Sequence, residues 1–521
     1  MSTVTVQTEI IPRWEWRTFG VAFGPAEEYL AGLEPTGVQE SDELYLLSVH
    51  GDTVKVRGGL MDIKLLREVG LGGLERWEPI LKAPFPLGRS AIAAIFEALR
   101  EPMPDLARET YSLDEFLREL ADPHPGVRAV PVHKRRVRHT IEGCIGELSE
   151  VEVGEWVTRT IAIESEDRDA VVAAVRAVGL GNRVNTSYPR GLGALFDGAP
   201  PRYATIDVGT NSVKLHIGQP IMGGRWEALV DRAEVTQLGA GLAQTGRIST
   251  AAIERTTQAI RGMVEEARAH LVREIAAVGT AGLRMAENRT EVLEVIQGET
   301  GVSIDVISGD EESRLAYVAA LAGLGGSDGS VVVFDTGGGS SQFTFGRGAD
   351  VDERFSVDVG AARYTERFGL DRQVSSETLQ EALGAIAADL HRLGDRQAPD
   401  ALVGMGGAMT NLTAVMLGLE SYDPVAVQGS ILERGEVDRQ IEMYRTLDAD
   451  ARRSIVGLQP KRAEVILAGA CIVRTVMDKL GADRLTVSDR GLRHGLIDER
   501  FGVGETEAHS RPASSGGPRE A

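Results

Sequence analysis

The chain has 521 residues, 42% of them apolar and 26% charged, with a formal net charge of −21. That length exceeds one ordinary hydrophobic core, so two or three domains are expected, and the composition excludes a largely disordered chain. The acidic balance argues against general binding to nucleic acid or an anionic membrane, which leaves only local clusters of Arg, Lys and backbone N–H to meet a polyanion.

Met1 to Gly20 is polar and lacks a continuous apolar stretch, and no apolar run approaches a membrane span. A cytoplasmic location is therefore expected. Cys144 and Cys471 stand far apart, with no CxxC pair and no His cluster nearby, which predicts two buried free thiols.

In chain order, residues 44–49, 53–57 and 62–66 predict successive strands, with Lys55, Arg57 and Lys64 on alternating positions. Ala91 to Leu99 carries helical spacing. Strand character resumes at Arg136 to Thr140 and at Leu148 to Val153, where Glu150 and Glu152 alternate with Val151 and Val153 and so share one face. A closed sheet would turn these charges into a groove or tunnel; the alternative is a solvated outer face. Gly198, Pro200 and Pro201 mark a linker, and the Glu-, Ser-, Pro- and Gly-rich stretch after Gly502 predicts a disordered tail. The domains expected are 1–200, 201–503 and a tail over 504–521.

The strongest signal is a repeat. Residues 202–212 and 331–340 each give an apolar run, an Asp (Asp207, Asp335), a Gly two residues later (Gly209, Gly337) and a Ser five residues later (Ser212, Ser340), after which a strand resumes. Strand, tight small-residue loop, strand is a β-hairpin. Its chemistry suits phosphate: small residues turn backbone N–H groups toward an anion, hydroxyls add donors, and the Asp can hold a hydrated metal or a water. The first loop offers Gly209, Thr210, Asn211 and Ser212; the second offers Gly337, Gly338, Gly339, Ser340 and Ser341. Two such hairpins facing each other would clamp a phosphate chain. A third Gly-rich strand exit carries Gly406 and Gly407; a plain packing turn is its alternative reading.

Between the hairpins, Ser308 followed by Glu311 predicts a capping box, with Glu311 reaching back to the Ser308 N–H and a helix burying Leu315, Val318, Ala319 and Ala322. Glu312 has no such duty; on residues alone it is either a functional carboxylate or an exposed first-turn glutamate favoured by the helix dipole.

Both hairpins, the stretch 278–288 with Arg284, the stretch 307–315 and Gly491-Leu-Arg-His-Gly-Leu496 resemble the exopolyphosphatase/guanosine-pentaphosphate phosphatase (Ppx/GppA) family over residues 202–500. The resemblance implies an α/β, two-lobed actin-like (ASKHA) fold that hydrolyses terminal phosphoanhydride bonds of polyphosphate or guanosine pentaphosphate. It implies Glu312 as the base, Arg284 on phosphate, Asp207 and Asp335 with metal or water, magnesium or manganese as cofactor, and a homodimer. Where the family shows Thr-Glu after the second loop, this chain has Ser341 and Gln342, and the lost charge predicts weaker metal binding. Other readings of the same fold are a sugar or acetate kinase and a turnover-free sensor of polyphosphate or a guanosine alarmone. Glu15 and Arg17, Lys55 with Arg57, the pair Glu150 and Glu152, Glu164 with Glu166, and residues 185–188 resemble, in that order, the CYTH domains, with Lys64 and Arg136 as further basic candidates. These are α+β antiparallel β-tunnels whose basic residues grip triphosphate and whose carboxylates hold metal; cleavage there would make the chain bifunctional. The family pattern Glu-x-Glu-x-Lys reads Arg13-x-Glu15-x-Arg17 here, one metal ligand fewer.

Overall fold

The computed structural model describes residues 11–502, apart from 222–224, 323–328, 349 and 395; the expected tail over 504–521 lies outside them. Two units emerge, one holding residues up to Asp305 with the segment from Phe501, the other Val306–Arg500.

In the first unit, period-two alternation closes into a barrel. Its strands are β1 (Arg13–Gly20), β2 (Gly37–Leu47), β3 (Thr53–Arg57), β4 (Leu60–Val69) and β5 (Glu75–Pro84), and, after a small ribbon of β6 (Leu87–Gly88) and β7 (Thr110–Tyr111), β8 (Arg128–Ile141), β9 (Cys144–Val153) and β10 (Trp156–Ser165). The order β1-β10-β9-β8-β2-β3-β4-β5 is antiparallel throughout, and β5 pairs back onto β1. Helices cover much of the outer wall. Val54, Val56, Met61 and Ile63 pack with Ile92, Ile95 and Phe96 of the helix Arg89–Leu99, and Trp14, Trp16 and Ile163 pack with Val171 and Ala174 of the helix Arg168–Ala177. Because outward positions are apolar there, the alternate positions carry charge inward. The helix Tyr188–Phe196 sets Leu192 and Leu195 against Tyr45, Val130 and Val151.

Five strands follow: β11 (Arg202–Val208), β12 (Ser212–Ile221), β13 (Arg225–Val235), β14 (Val272–Gly279) and β15 (Ile304–Val306), in the order β13-β12-β11-β14-β15. Backbone bonds fasten barrel to sheet: Val184 N–H donates to Arg273 O (3.0 Å) and Ile275 N–H to Asn182 O (2.8 Å), both on β14.

The second unit repeats the plan with β16 (Ser330–Thr336), β17 (Ser341–Arg347), β18 (Asp350–Val357), β19 (Ala401–Met405), β20 (Ile431–Glu433) and β21 (Arg484–Ser488), ordered β18-β17-β16-β19-β21-β20. In each sheet three antiparallel strands precede a parallel one. The core centres on the helix Ile466–Lys479, eleven of whose residues are buried. Within it Arg452 is wholly buried, donating to the carbonyls of Tyr444 (2.9 Å), Leu370 (2.7 Å), Ala463 (3.2 Å) and Arg372 (3.2 Å). A buried guanidinium is tolerated when its donors are satisfied this way. Cys144 and Cys471 are buried free thiols. Among the described residues no helix is long and apolar enough to cross a membrane.

Candidate active site

The two repeats form hairpins of one geometry. In the first, Asp207 pairs with Lys214 and Val208 with Val213, and Gly209 N–H donates to Ser212 O at 3.0 Å. In the second, Asp335 pairs with Gln342 and Thr336 with Ser341, and Gly337 N–H donates to Ser340 O at 2.9 Å. Each loop is held by its carbonyls. Asn211 O accepts from Thr236 and Gln237, and Thr210 O accepts from Gly239; Gly338 O accepts from Ala362 and Arg363, at the start of the helix Ala361–Phe368. The N–H groups of Thr210, Asn211, Gly338 and Gly339, at exposed tips, donate to no acceptor among the described residues. Pinned carbonyls with available N–H groups make an anion nest.

Around the first loop, Asp207 is buried and its Oδ2 lies 3.1 Å from Lys214 Nζ. Arg284 is half-buried on the short helix Ala281–Met285, which β14 brings alongside: Gly279 pairs with Val208, and Thr280 N–H donates to Val208 O (3.1 Å).

Around the second, Asp335 meets the third glycine-rich turn. Gly406 has φ 85°, and a Cβ there would stand 2.0 Å from Asp335 Oδ1, so only glycine fits. The guanidinium of Arg462 lies over Gly407, where a Cβ would be 2.5 Å from Nη2. Sequence reading passed over Arg462; its one signal is the Pro-Lys-Arg run at 460–462. Ser340 Oγ accepts from Gln342 Nε2 at 2.8 Å. Ser341, expected on phosphate, instead faces the core: it is fully buried, and its hydroxyl donates to Val359 O at 2.6 Å.

The helix Gly309–Ala322 places Glu312 half-buried in its first turn. Only half of the expected capping box forms. Ser308 Oγ accepts from Glu311 N–H (3.1 Å), but the Glu311 carboxylate turns to Arg314 (2.7 Å) rather than back to Ser308. Arg314 holds Glu311 below the ordinary carboxylate range. The buried stripe is Leu315, Tyr317, Ala319, Ala320 and Leu321; Ala322, expected inside, is exposed.

Inside the barrel, Glu43 is the hub. Its carboxylate lies 3.2 Å from Lys55 and from Lys134, 3.8 Å from Arg57, and in direct contact with Arg136. Burial opposes its charge, yet these cations keep Glu43 well below the usual range. Burial pushes Lys55 down to about 8 against the pull of Glu43. Glu15 bonds Arg17 (2.8 Å), Arg17 stacks on Tyr188, and Lys64 acts on both Glu15 and Glu164. Glu150 and Glu152 do not line the tunnel: of the two readings, the solvated outer face holds, both being exposed on the outer wall, where Glu150 meets Arg135 (3.7 Å). The inward carboxylate of β9 is Glu147, near Arg17 (3.9 Å) and Arg136 (3.7 Å). Alternation alone gives two faces without saying which is inside; Glu43, Lys134 and Glu147 were missed for that reason.

A family model described as the Ppx/GppA phosphatase family matches residues 221–502. Exopolyphosphatase 2 of Mycobacterium tuberculosis is 28% identical over 318 residues, which are 57% of this chain and 97% of that protein. The guanosine-5'-triphosphate,3'-diphosphate pyrophosphatase of Photobacterium profundum is 28% identical, over 57% of this chain and 59% of that enzyme. Among solved structures, the type II variant of the Aquifex aeolicus Ppx/GppA phosphatase is similar at 32% identity and TM-score 0.53, covering 58% of this chain and 99% of that one. The duplicated sheets described above are the actin-like fold of these relatives.

Proposed function

Because the chain belongs to the Ppx/GppA phosphatase family, we propose that it releases orthophosphate from the terminal phosphoanhydride of inorganic polyphosphate or guanosine pentaphosphate. The observation that carries the reading is the matched pair of hairpin loops, each with pinned carbonyls, available N–H groups and an aspartate at the strand end. A water attacks the terminal phosphorus and gives its proton to Glu312. The new P–O bond forms as the bridging P–O bond breaks, and the shortened chain leaves as an oxyanion. Loop N–H groups and Arg284 offset the charge that develops on the transferring phosphoryl oxygens.

The oxygen donors Asp335 and Gln342, and Asp207 on the first hairpin, suit a hard divalent cation such as magnesium or manganese. A bound cation would neutralise phosphate charge. Gln342 offers a neutral oxygen where a carboxylate would bind more tightly, and Lys214 already shares the charge of Asp207.

The test is phosphate release by the full chain from polyphosphate, guanosine pentaphosphate, ATP and tripolyphosphate, each with and without magnesium or manganese. Release from neither of the first two substrates would sink the phosphatase reading, and binding without release would favour the sensor.

The barrel supports a second reading, a CYTH-like triphosphate tunnel that binds without efficient cleavage. Its motive is the inward set Arg17, Lys55, Arg57, Lys64, Lys134 and Arg136, already engaged by Glu15, Glu43 and Glu147. Efficient metal-dependent tripolyphosphate cleavage by a full chain carrying Glu312→Gln would overturn it.

A further inference from the structure

Neither the hairpins nor the barrel interior accounts for a cavity of about 700 Å³ within the first unit. It opens where β1 and β5 of the barrel meet the helix Tyr188–Phe196, the linker prolines and the start of β14. Six arginines line it, namely Arg100, Arg128, Arg190, Arg202, Arg268 and Arg273, against three carboxylates, Asp52, Glu75 and Asp197. In a chain of net charge −21 such a cationic surplus is a local construction rather than a reflection of composition.

Four of these arginines already have partners, Arg273 among them. Arg100 lies 3.9 Å from Asp52, Arg128 is in contact with Asp197, and Arg202 bonds Gln219 and the His270 carbonyl. Arg190 and Arg268 differ. Among the described residues neither has a carboxylate within 4 Å, and the Nε of Arg268 is buried without an acceptor. Arg268 is held there by a bare backbone: its guanidinium lies against Gly73, where a Cβ would stand 2.0 Å from Cζ. Glu75, their nearest carboxylate by electrostatic influence, turns to the indole N–H of Trp77 at 3.2 Å. Phe19 and Trp77 supply apolar wall.

We infer that this cavity is a second phosphate site, separate from the hairpins, that takes a small phosphate-bearing anion between Arg190 and Arg268. Guanidinium groups present paired N–H donors that match phosphate oxygens, and an unsatisfied buried donor is the feature such a ligand would complete. The volume falls within the range of small-molecule sites. It fits either a nucleoside diphosphate, with its base against the aromatic wall, or a short inorganic phosphate chain.

Both native thiols are buried, so one engineered cysteine gives a local probe. Ala194, on the cavity wall, is changed to cysteine in the full chain, and maleimide labelling is timed with EDTA present. The competitors are GDP, tripolyphosphate and, as a phosphate-free control, guanosine. A bound ligand should slow labelling about tenfold at a concentration about ten times its Kd. Protection by GDP alone identifies a nucleotide site, by tripolyphosphate alone an inorganic one, and by both a site that reads phosphate only. In each case Arg190→Ala with Arg268→Gln should abolish protection. Should that pair unfold the chain, Arg190→Glu, at an exposed position, should by itself weaken protection. No protection at millimolar ligand, equal protection by guanosine, or protection that survives these substitutions overturns the inference.

Discussion

Asp207 meets Lys214 across the first hairpin, Oδ2 to Nζ at 3.1 Å, in the register where Asp335 meets Gln342 across the second. One repeat thus sets a cation opposite its aspartate in the ladder and the other a neutral amide. Neither supplies a second carboxylate. Gln342→Glu should therefore lower the magnesium concentration needed for half-maximal phosphate release, because it adds the missing anionic oxygen. An unchanged metal dependence would show that position 342 does not face the cation.

Glu311 and Glu312 are neighbours with separable roles. Glu312→Gln should cut turnover by roughly 10²–10⁴-fold while leaving polyphosphate binding and the melting temperature in place. Glu311→Gln loses a half-exposed link to Arg314 and should change stability by no more than about 1 kcal/mol, with turnover kept. Steady-state kinetics on both variants decides the assignment; full activity in Glu312→Gln would send the search for a base to Asp207 or Asp335.

Gly406→Ala tests the contact that seats Asp335. The left-handed φ and the approach of Oδ1 leave no room for a methyl group, so a cost of about 1–3 kcal/mol is expected. Asp335 must move to relieve it. A fall in kcat larger than the fall in thermal stability alone explains is the expected pattern, read from kinetics and calorimetry on one sample.

In the barrel, Glu43→Gln should destabilise by about 3–5 kcal/mol, since it strands several buried cations. Glu150→Gln on the outer wall should stay within about 0.5 kcal/mol of wild type. Thermal denaturation ranks the two; equal effects would mean that Glu43 is not the hub of the interior.

Burial raises Glu75 from 4.5 to about 7, against the pull of Arg190. The folded state therefore holds more protons than the unfolded one between those values, and stability falls as pH rises across that window. Glu75→Gln should flatten this decline and leave the variant more stable than wild type above pH 7, by at most about 3 kcal/mol. Melting temperatures measured across the window check the sign.

Much of this was legible from the chain because its chemistry is local. The Asp–Gly–Ser spacing reads a hairpin directly, and β11–β12 and β16–β17 have that form. Strand alternation likewise foretold β3, β4 and β9. What escaped depends on what covers a strand. Glu150 and Glu152 share a face as expected, but helices cover that same outer wall elsewhere in the barrel, so inside and outside cannot be told from β9 alone. Ser341 was assigned to phosphate by its neighbours in sequence, whereas strand parity turns it into the core. Arg462 and Arg268 reach their sites only through long-range packing against bare glycines, which no spacing rule encodes.

The bonds from residues 182–184 to β14 bear on how the chain responds to being cut. Gly198, Pro200 and Pro201 would attract a protease and look like a hinge between separable parts. Yet Asn182 and Val184, upstream of that segment, are bonded to β14 downstream of it, and Arg183 is paired with Glu274 in the same way. A chain nicked after Gly198 would keep those bonds, so the two fragments should migrate together under native conditions and part only in denaturant. Covalent continuity through the linker is not what holds barrel and sheet together.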